Sequence, residues 1–326
     1  MKILVSGSSG FIGSALVPYL KSRGHTILRL VRDHSQQGIF WDPQQGIIDL
    51  PADANIDAVI NLSGDNIAEG RWTKQKKEKI RSSRIDSTSL LAGTVVHLNP
   101  HPKVFLSSSG IGFYGDCGNV IVDETSPAGK GFLGDVSREW EAATLAAQQA
   151  GILVANLRIS LVLSSEGGIM CRLLPLFKAG LGTMLGSGSQ YMSWIAIDDL
   201  NAAIDYILCN KSLSGPVNMC APNPVTNCEF TKALKSILKR PTLFRIPSFM
   251  LCAVLGEMGK EELLYSTRAV PKKLTSSGFE FRYPDIEKTL RHILLMNAKL
   301  ESIISCNSND NDTFFSAAGF EHRRLP

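Results

Sequence analysis

The sequence predicts an α/β protein: a doubly wound parallel sheet carrying a smaller C-terminal lobe. Three observations lead there. Short apolar runs alternate with amphipathic helical stretches through residues 1–163, the pattern of a parallel sheet covered on both faces. The first run, MKILVS, is followed at once by GSSGFIG, a glycine-rich turn that opens a helical pattern. After residue 163 the rhythm breaks, and Gly and Pro become frequent.

Taken in order, Ile3-Leu4-Val5 reads as a buried strand and Phe11 to Lys21 as a helix with Phe11, Ala15, Leu16 and Leu20 inward. Thr26–Val31 and Ala58–Leu62 read as strands, and Trp72 to about Leu98 as a long helix. Val104-Phe105-Leu106 is a strand, Val136–Gln149 a helix and Leu153–Ile159 a strand. Right-handed crossovers between such units give the doubly wound arrangement. Residues 1–163 are expected to form mainly a dinucleotide-binding lobe. Residues 164–298 are expected to form mainly a substrate lobe, with some segments returning to the sheet. Its short helices include Asn227–Leu238 and Asp285–Leu294. Residues 299–326 include CNSNDND and read as a polar tail with little core potential.

Composition narrows the class. The 326 residues are 44% hydrophobic and 20% charged, with a net charge of +4, ordinary for a globular chain and too small a charge to argue for nucleic acid. Cysteines 117, 171, 209, 220, 228, 252 and 306 are scattered without a C-x-x-C pair. They read as reduced thiols in a cytoplasmic protein rather than a disulfide frame or zinc site. No signal-peptide pattern opens the chain, and the longest apolar stretch, around Phe249–Gly256, is too short to span a bilayer. No membrane and no nucleic acid is expected among the partners.

Glycines at 7, 10 and 13, placed between a first strand and a first helix, let the backbone turn sharply and approach a pyrophosphate at the helix N-terminus. The bland alternative is a tight turn that binds nothing. The second strand ends at Val31 and is followed by Arg32 rather than an acid, with Asp33 one step further on. An acid at the strand end would hold the ribose of NAD, whereas an arginine suits the 2′-phosphate of NADP, so NADP(H) is the expected cofactor. The run RWTKQKKEKIRSSR (71–84) carries seven basic residues. Most of it reads as a solvated helix face, and Arg84 is the member placed to reach a cofactor or substrate phosphate. His97 and His101 have a spacing that suits metal only on a helix, but Asn99-Pro100 lies between them, so no metal site is expected.

The segments VSGSSGFIG, INLSG (60–64) and FLSSSGIGFYGD (105–116) resemble the extended short-chain dehydrogenase/reductases, the nucleotide-sugar epimerase-like proteins with a Rossmann-type sheet. WDPQQGIID (41–49), NLSGDNIAEGRW (61–72), SREWEAA (137–143), LGSGSQYMSWIAIDDL (185–200) and GPVNMCAPNPVTNCEF (215–230) resemble one atypical branch of them. Its members are called epimerase family proteins, some with an older cell division inhibitor label, and their substrate is unknown. The resemblance covers about residues 1–295. It implies that Gly7, Ser8, Ser9, Gly10, Phe11, Ile12 and Gly13 hold a pyrophosphate and that Val31 and Arg32 line the adenosine end. It also implies that Leu62 and Ser63 flank the cofactor, with Arg84 following, and that Leu161 lies near the nicotinamide. Leu62 and Leu161 equally suit plain strand-end packing.

The superfamily moves protons with a Tyr-x-x-x-Lys pair and a serine, the lysine drawing the phenol toward neutrality. The matching region here, FLGDVSREWEAA (132–143), has no tyrosine, and Arg138 falls near the lysine position. Ser109 takes the serine position, with Gly110 the alternative by one inserted residue, and Tyr114 is the nearest phenol. Ser109, Tyr114 and Arg138 are therefore the catalytic candidates. Trp194 reads either as lining a substrate or as a buried indole, and Asp198 or Asp199 as the cap of the following helix. Two functions fit: an NADP(H)-binding, epimerase-like oxidoreductase acting on a small or nucleotide-sugar-like substrate, or a non-catalytic NADP(H)-binding sensor acting through a partner. Monomer and homodimer both remain open.

Overall fold

The computed structural model describes residues 1–51, 53–241 and 244–295. An eight-stranded sheet runs through it, built from β1 (Lys2–Ser6), β2 (Thr26–Val31), β3 (Ile39–Asp42), β4 (Ile47–Ile48), β5 (Ala58–Asn61), β6 (Val104–Gly110), β7 (Leu153–Ile159) and β8 (Gly215–Met219). Their spatial order is β8-β7-β6-β5-β1-β2-β3-β4. Every pairing is parallel except β3 with β4. The order reverses at β1, and the crevice beside that reversal is where ligands bind in such sheets.

The helices are α1 (Phe11–Ser22), α2 (Lys74–Val95), α3 (Phe132–Ala142), α4 (Leu145–Gln149), α5 (Gly168–Lys178), α6 (Ile197–Cys209), α7 (Asn227–Leu238) and α8 (Ser248–Leu255). Side-chain alternation along the strands explains why both faces need cover. Ile3, Val5, Ile60 and Leu106 pack with Leu16 and Leu20 of α1 and with Leu200 and Ile204 of α6. Leu4, Val59 and Phe105 point the other way, toward Leu91, Ala92 and Val95 of α2 and Ala147 of α4. A separate core under the C-terminal segments joins Met170, Leu174 and Phe177 of α5 to Trp194, Phe230, Leu234, Ile286 and Leu290.

Several elements differ from expectation for local reasons. The helix read as starting at Trp72 starts at Lys74, because the Thr73 side chain accepts from Lys76 N and caps it. Trp72 lies outside the helix, its indole donating to Ile67 O. The helix read as Val136–Gln149 begins earlier, at Phe132, and breaks into α3 and α4 around Thr144. There the Thr144 hydroxyl donates to Glu141 O at 2.7 Å, the back-bonding by which a threonine competes with helix continuation. The Asp198/Asp199 cap is corrected as well: neither side chain caps α6. Asp199 is buried and accepts from the backbone N–H groups of Arg282 and Tyr283, and Asp198 pairs with His292. Asn227–Leu238 is a helix as read, and residues 286–295 are helical. The tail read at 299–326 lies outside the described residues. Among those described, no helix is long and apolar enough to cross a membrane.

Candidate functional site

The site forms where β1 ends and α1 begins. Gly7 has φ +66°, and a Cβ there would lie 2.7 Å from Leu62 O. A Cβ on Gly13 would lie 2.2 Å from Gly7 O. Both positions need glycine, one for its backbone angle and one for the contact of helix on turn. The N-cap of α1 is Gly10, with no side-chain cap and no acidic residue in the first turn. Its first N–H groups are therefore left for an outside acceptor, and the helix dipole favours an anion. Ser9 and Gly10 are exposed, while Phe11 and Ile12 are half-buried. The Phe11 ring lies where a Cβ on Gly167 or Gly168 would fall, so it locks the turn against the start of α5.

Ser8 is buried and accepts from Arg29 Nε at 2.9 Å. Val31 is buried at the strand end, and Arg32 is exposed beyond it. Asp33 is committed to its own turn, accepting from Ser35 N, and these bonds hold its carboxyl below the usual range. Among the described residues no carboxylate forms an ion pair with Arg32.

The loop after β5 is fixed from below. Asn61 Oδ1 accepts from Ser6 Oγ at 2.6 Å and from Ser63 N, and its Nδ2 donates to Thr88 Oγ1. Thr88 also accepts from the Trp140 indole. This buried polar cluster holds Leu62 and Ser63 beside Gly7. Arg84 of α2 lies across the same loop: a Cβ on Gly64 would be 3.2 Å from its Cζ, and the guanidinium sits 5.0 Å from the Trp140 ring. Burial pulls the Arg84 pKa down to about 10, opposed by Asp65 and Glu262. The rest of the basic run is not simply solvated. Lys76 and Lys79 pair with Asp65, Lys77 with Glu257 and Arg81 with Glu139.

The catalytic candidates stand differently. Ser109 shares the face of β6 that carries Phe105, so it points toward α3 and donates to Glu141 Oε1 at 2.8 Å. Arg158 grips the same carboxylate with Nε at 2.7 Å and Nη2 at 2.9 Å. Arg158 Nη1 donates to the Tyr114 hydroxyl, which donates to Asn218 Oδ1 at 2.7 Å. Burial pushes the Tyr114 phenol up to about 12, against the influence of Arg158. Ser109 and Tyr114 are thus brought together in one buried network, joined through Glu141 and Arg158. Arg138 is not brought to them: it stands on the exposed face of α3, paired with Asp135. Trp194 is 1% exposed and donates to Asn223 O, which corrects its reading as substrate-lining to the buried indole. Leu161 pairs with Trp194 across two short strands and stays half-buried. His97 and His101 gather no metal-binding group, and none occurs among the described residues.

Sequence reading missed Asn61, Thr88, Glu141, Arg158, Glu261 and Glu262. Arg158 had a signal, a charge inside the apolar strand LVANLRI. Glu261 had none, although its carboxylate accepts from Phe132 N at 2.9 Å and Leu133 N at 3.0 Å across 129 and 128 residues of chain.

A glycine turn feeding an uncapped helix, at the reversal point of a parallel sheet, defines a protein of the dinucleotide-binding α/β class. Within it, the chain belongs to the NAD dependent epimerase/dehydratase family, whose model matches residues 3–220; a domain of unknown function, DUF1731, matches residues 246–293. An epimerase family protein of Mycobacterium leprae is 41% identical over 292 residues, covering 89% of this chain and 94% of that one. The crystal structure of the human epimerase family protein SDR39U1 with NADPH superposes with a TM-score of 0.84 at 31% identity, covering 90% of this chain and 99% of the human one. A nucleoside-diphosphate sugar epimerase from Corynebacterium glutamicum superposes with a TM-score of 0.74 at 30% identity, covering 97% of this chain and 68% of that one.

Proposed function

We propose that the chain binds NADP(H) at the glycine turn and works as an epimerase-like oxidoreductase on a small, nucleotide-sugar-like substrate. The observation that carries this reading is the open N-terminus of α1, with glycine-only contacts at Gly7 and Gly13. The human relative crystallised with NADPH and the Corynebacterium relative named for nucleoside-diphosphate sugars support it.

In this reading the turn from Gly7 to Gly13 holds the pyrophosphate, the uncapped N–H groups of the first turn of α1 serving as donors, while Leu62 and Ser63 flank the cofactor and Leu161 lies near the nicotinamide. Arg32, free of carboxylate partners, meets the 2′-phosphate, while Asp33 is occupied by its own turn. The bound dinucleotide supplies hydride exchange; the protein orients the substrate, excludes water and moves the proton. Residues 1–163 mainly bind the dinucleotide. The following segments, through residue 295, mainly hold the substrate, with β8 returned to the main sheet. The six described cysteines are all free thiols, in keeping with a reducing cytoplasm.

One observation favours a second reading. The Tyr114 hydroxyl has both its donor and acceptor roles filled within the protein, the Ser109 hydroxyl spends its proton on Glu141, and Arg138 faces outward. A non-catalytic NADP(H) sensor needs no more than that. Calorimetric titration with NADPH, NADP, NADH and NAD, with Arg32→Ala beside the wild type, tests the shared part. Tight binding of NADPH and NADP that weakens in the variant is expected. Absence of heat with all four dinucleotides would overturn both readings. Turnover of NADPH with a panel of nucleotide-sugar ketones then separates enzyme from sensor.

A further inference from the structure

We propose that Glu262 is the proton-transfer residue of this site, its carboxylate taking the proton of a substrate hydroxyl and returning it in the reverse direction. The inference rests on the dinucleotide reading above. The need for such a residue is plain: the start of α3 presents Phe132, Leu133 and Gly134, whose side chains carry no acidic or basic group, and Tyr114 has both its donor and acceptor roles filled.

Three features of the fold place Glu262. It lies on a π-helical turn, Gly259–Leu264, a rare form that often marks functional positions. The preceding residue pins that turn to the start of α3, since both Glu261 oxygens accept from the first two N–H groups of the helix. Gly131 makes room for the clamp: its φ is +117°, and a Cβ there would lie 2.8 Å from Glu261 Oε1. The two neighbouring acids then have opposite surroundings. Glu261 is 9% exposed and fully bonded, whereas Glu262 keeps open access, and among the described residues no hydrogen bond holds its carboxylate. The charges acting on it are Arg84 of α2 and Glu261. Arg84 lies on Gly64, in the loop that touches Gly7. Glu262 therefore stands next to the residue that closes the start of α3 and within the field of Arg84, whose guanidinium abuts the loop that touches Gly7.

Protein packed around the Glu262 carboxyl desolvates it and raises it to about 7 although the side chain itself stays exposed, with Arg84 opposing the rise and Glu261 adding to it. A carboxyl in that range can both accept and release a proton at neutral pH. The step balances. With oxidised NADP⁺ as the two-electron acceptor, the substrate C–H would leave as hydride to that dinucleotide, the O–H proton would pass to Glu262, and the carbon–oxygen bond would become a carbonyl. Reduction on the same or the opposite face of the carbonyl takes the proton back, and the opposite face gives the epimer.

The test is a carbon-13 NMR pH titration of the full chain labelled at glutamate Cδ, with Glu262→Gln assigning the resonance and Glu262→Asp as a second assignment. It is run free, with NADP⁺, and with 2′,5′-ADP, which lacks the nicotinamide. NADPH binding is measured by calorimetry on the same sample. The Glu262 signal is expected to titrate near neutrality. Its midpoint is expected to fall by about one unit with NADP⁺, whose ring is cationic, and to stay unmoved with 2′,5′-ADP. A midpoint near the ordinary ~4.3, or equal midpoints with the two ligands, overturns the assignment of Glu262 while leaving the cofactor reading standing. Absence of NADPH binding overturns the cofactor reading and this inference with it.

Discussion

Two helices begin near one cleft, and they begin in opposite ways. α1 starts at Gly10 with no side-chain cap and no acid in its first turn. α3 starts at Gly131 with Asp135 in its first turn, and a carboxylate from the far end of the chain on its first two N–H groups. Both starts have the same orphan donors and the same positive dipole end. At α1 they are left for a ligand's anion; at α3 a protein anion already occupies them. The comparison teaches where to look for each half of the function. We assign anion binding to the open helix. The closed helix start serves as an anchorage, and the group it anchors, the turn bearing Glu262, is the one to examine for chemistry.

The largest expected effect comes from closing the open end. Gly13→Val drives side-chain atoms into Gly7 O, already 2.2 Å from the first added carbon. NADPH affinity should fall by about a hundredfold or more, roughly 2.7 kcal/mol on the affinity scale. Calorimetry on folded protein checks it, and an unaltered affinity would show that the turn is not the binding element.

Next is Glu141→Ala, which strips the partner from Arg158, whose side chain is 4% exposed. Leaving a buried guanidinium unpaired costs roughly 3–5 kcal/mol. Chemical denaturation should show that loss, with the open end of α1 still able to bind NADPH in the fraction that folds.

Opening the closed end is the third test. Glu261→Ala removes two charge-assisted bonds to backbone N–H groups and should lower stability by roughly 2–3 kcal/mol. Hydrogen exchange should rise at Phe132 and Leu133. Protection unchanged at those two amides would break the comparison.

A smaller effect is expected of Arg32→Ala: the preference for NADPH over NADH should fall about tenfold, roughly 1.4 kcal/mol. The smallest is expected of Arg138→Ala. An exposed residue paired only with Asp135 should change stability by no more than about 0.5 kcal/mol, with no effect on NADPH binding by calorimetry.

Legibility followed the same divide. The glycine turn could be read because its logic is local: strand, turn and helix occupy consecutive residues, and glycine is required by contacts within a few positions. Arg32 and Asp33 could be read for the same reason, their fates set by a strand end and a short turn. The reading of α3 was weaker. Its true start depends on Glu261, and Arg138 was favoured by spacing alone when its helix face decides against it. Trp194 was left open between two roles, and the packing of α5 and α7 around it settled the matter. The basic run 71–84 looked like a solvated face, yet Lys76, Lys77, Lys79 and Arg81 find carboxylates on other segments.

Apolar alternation and glycine spacing by themselves determined the five parallel strands β1, β2, β5, β6 and β7, the existence of α1 and α2 and the turn at α1, but not β3, β4 or the break between α3 and α4. Those features follow from periodicity and backbone freedom, which act over a few residues. Only the tertiary structure decided that Ser109 and Tyr114 are engaged by Glu141, Arg158 and Asn218, that Glu261 closes α3, and that Glu262 stays exposed within the field of Arg84. Each of these depends on which side chains meet from separate segments, 17 to 129 residues apart for the hydrogen-bonded pairs, and on whether a carboxylate finds donors there. Burial and hydrogen bonding are properties of the assembled core, so no spacing along the chain could have announced them.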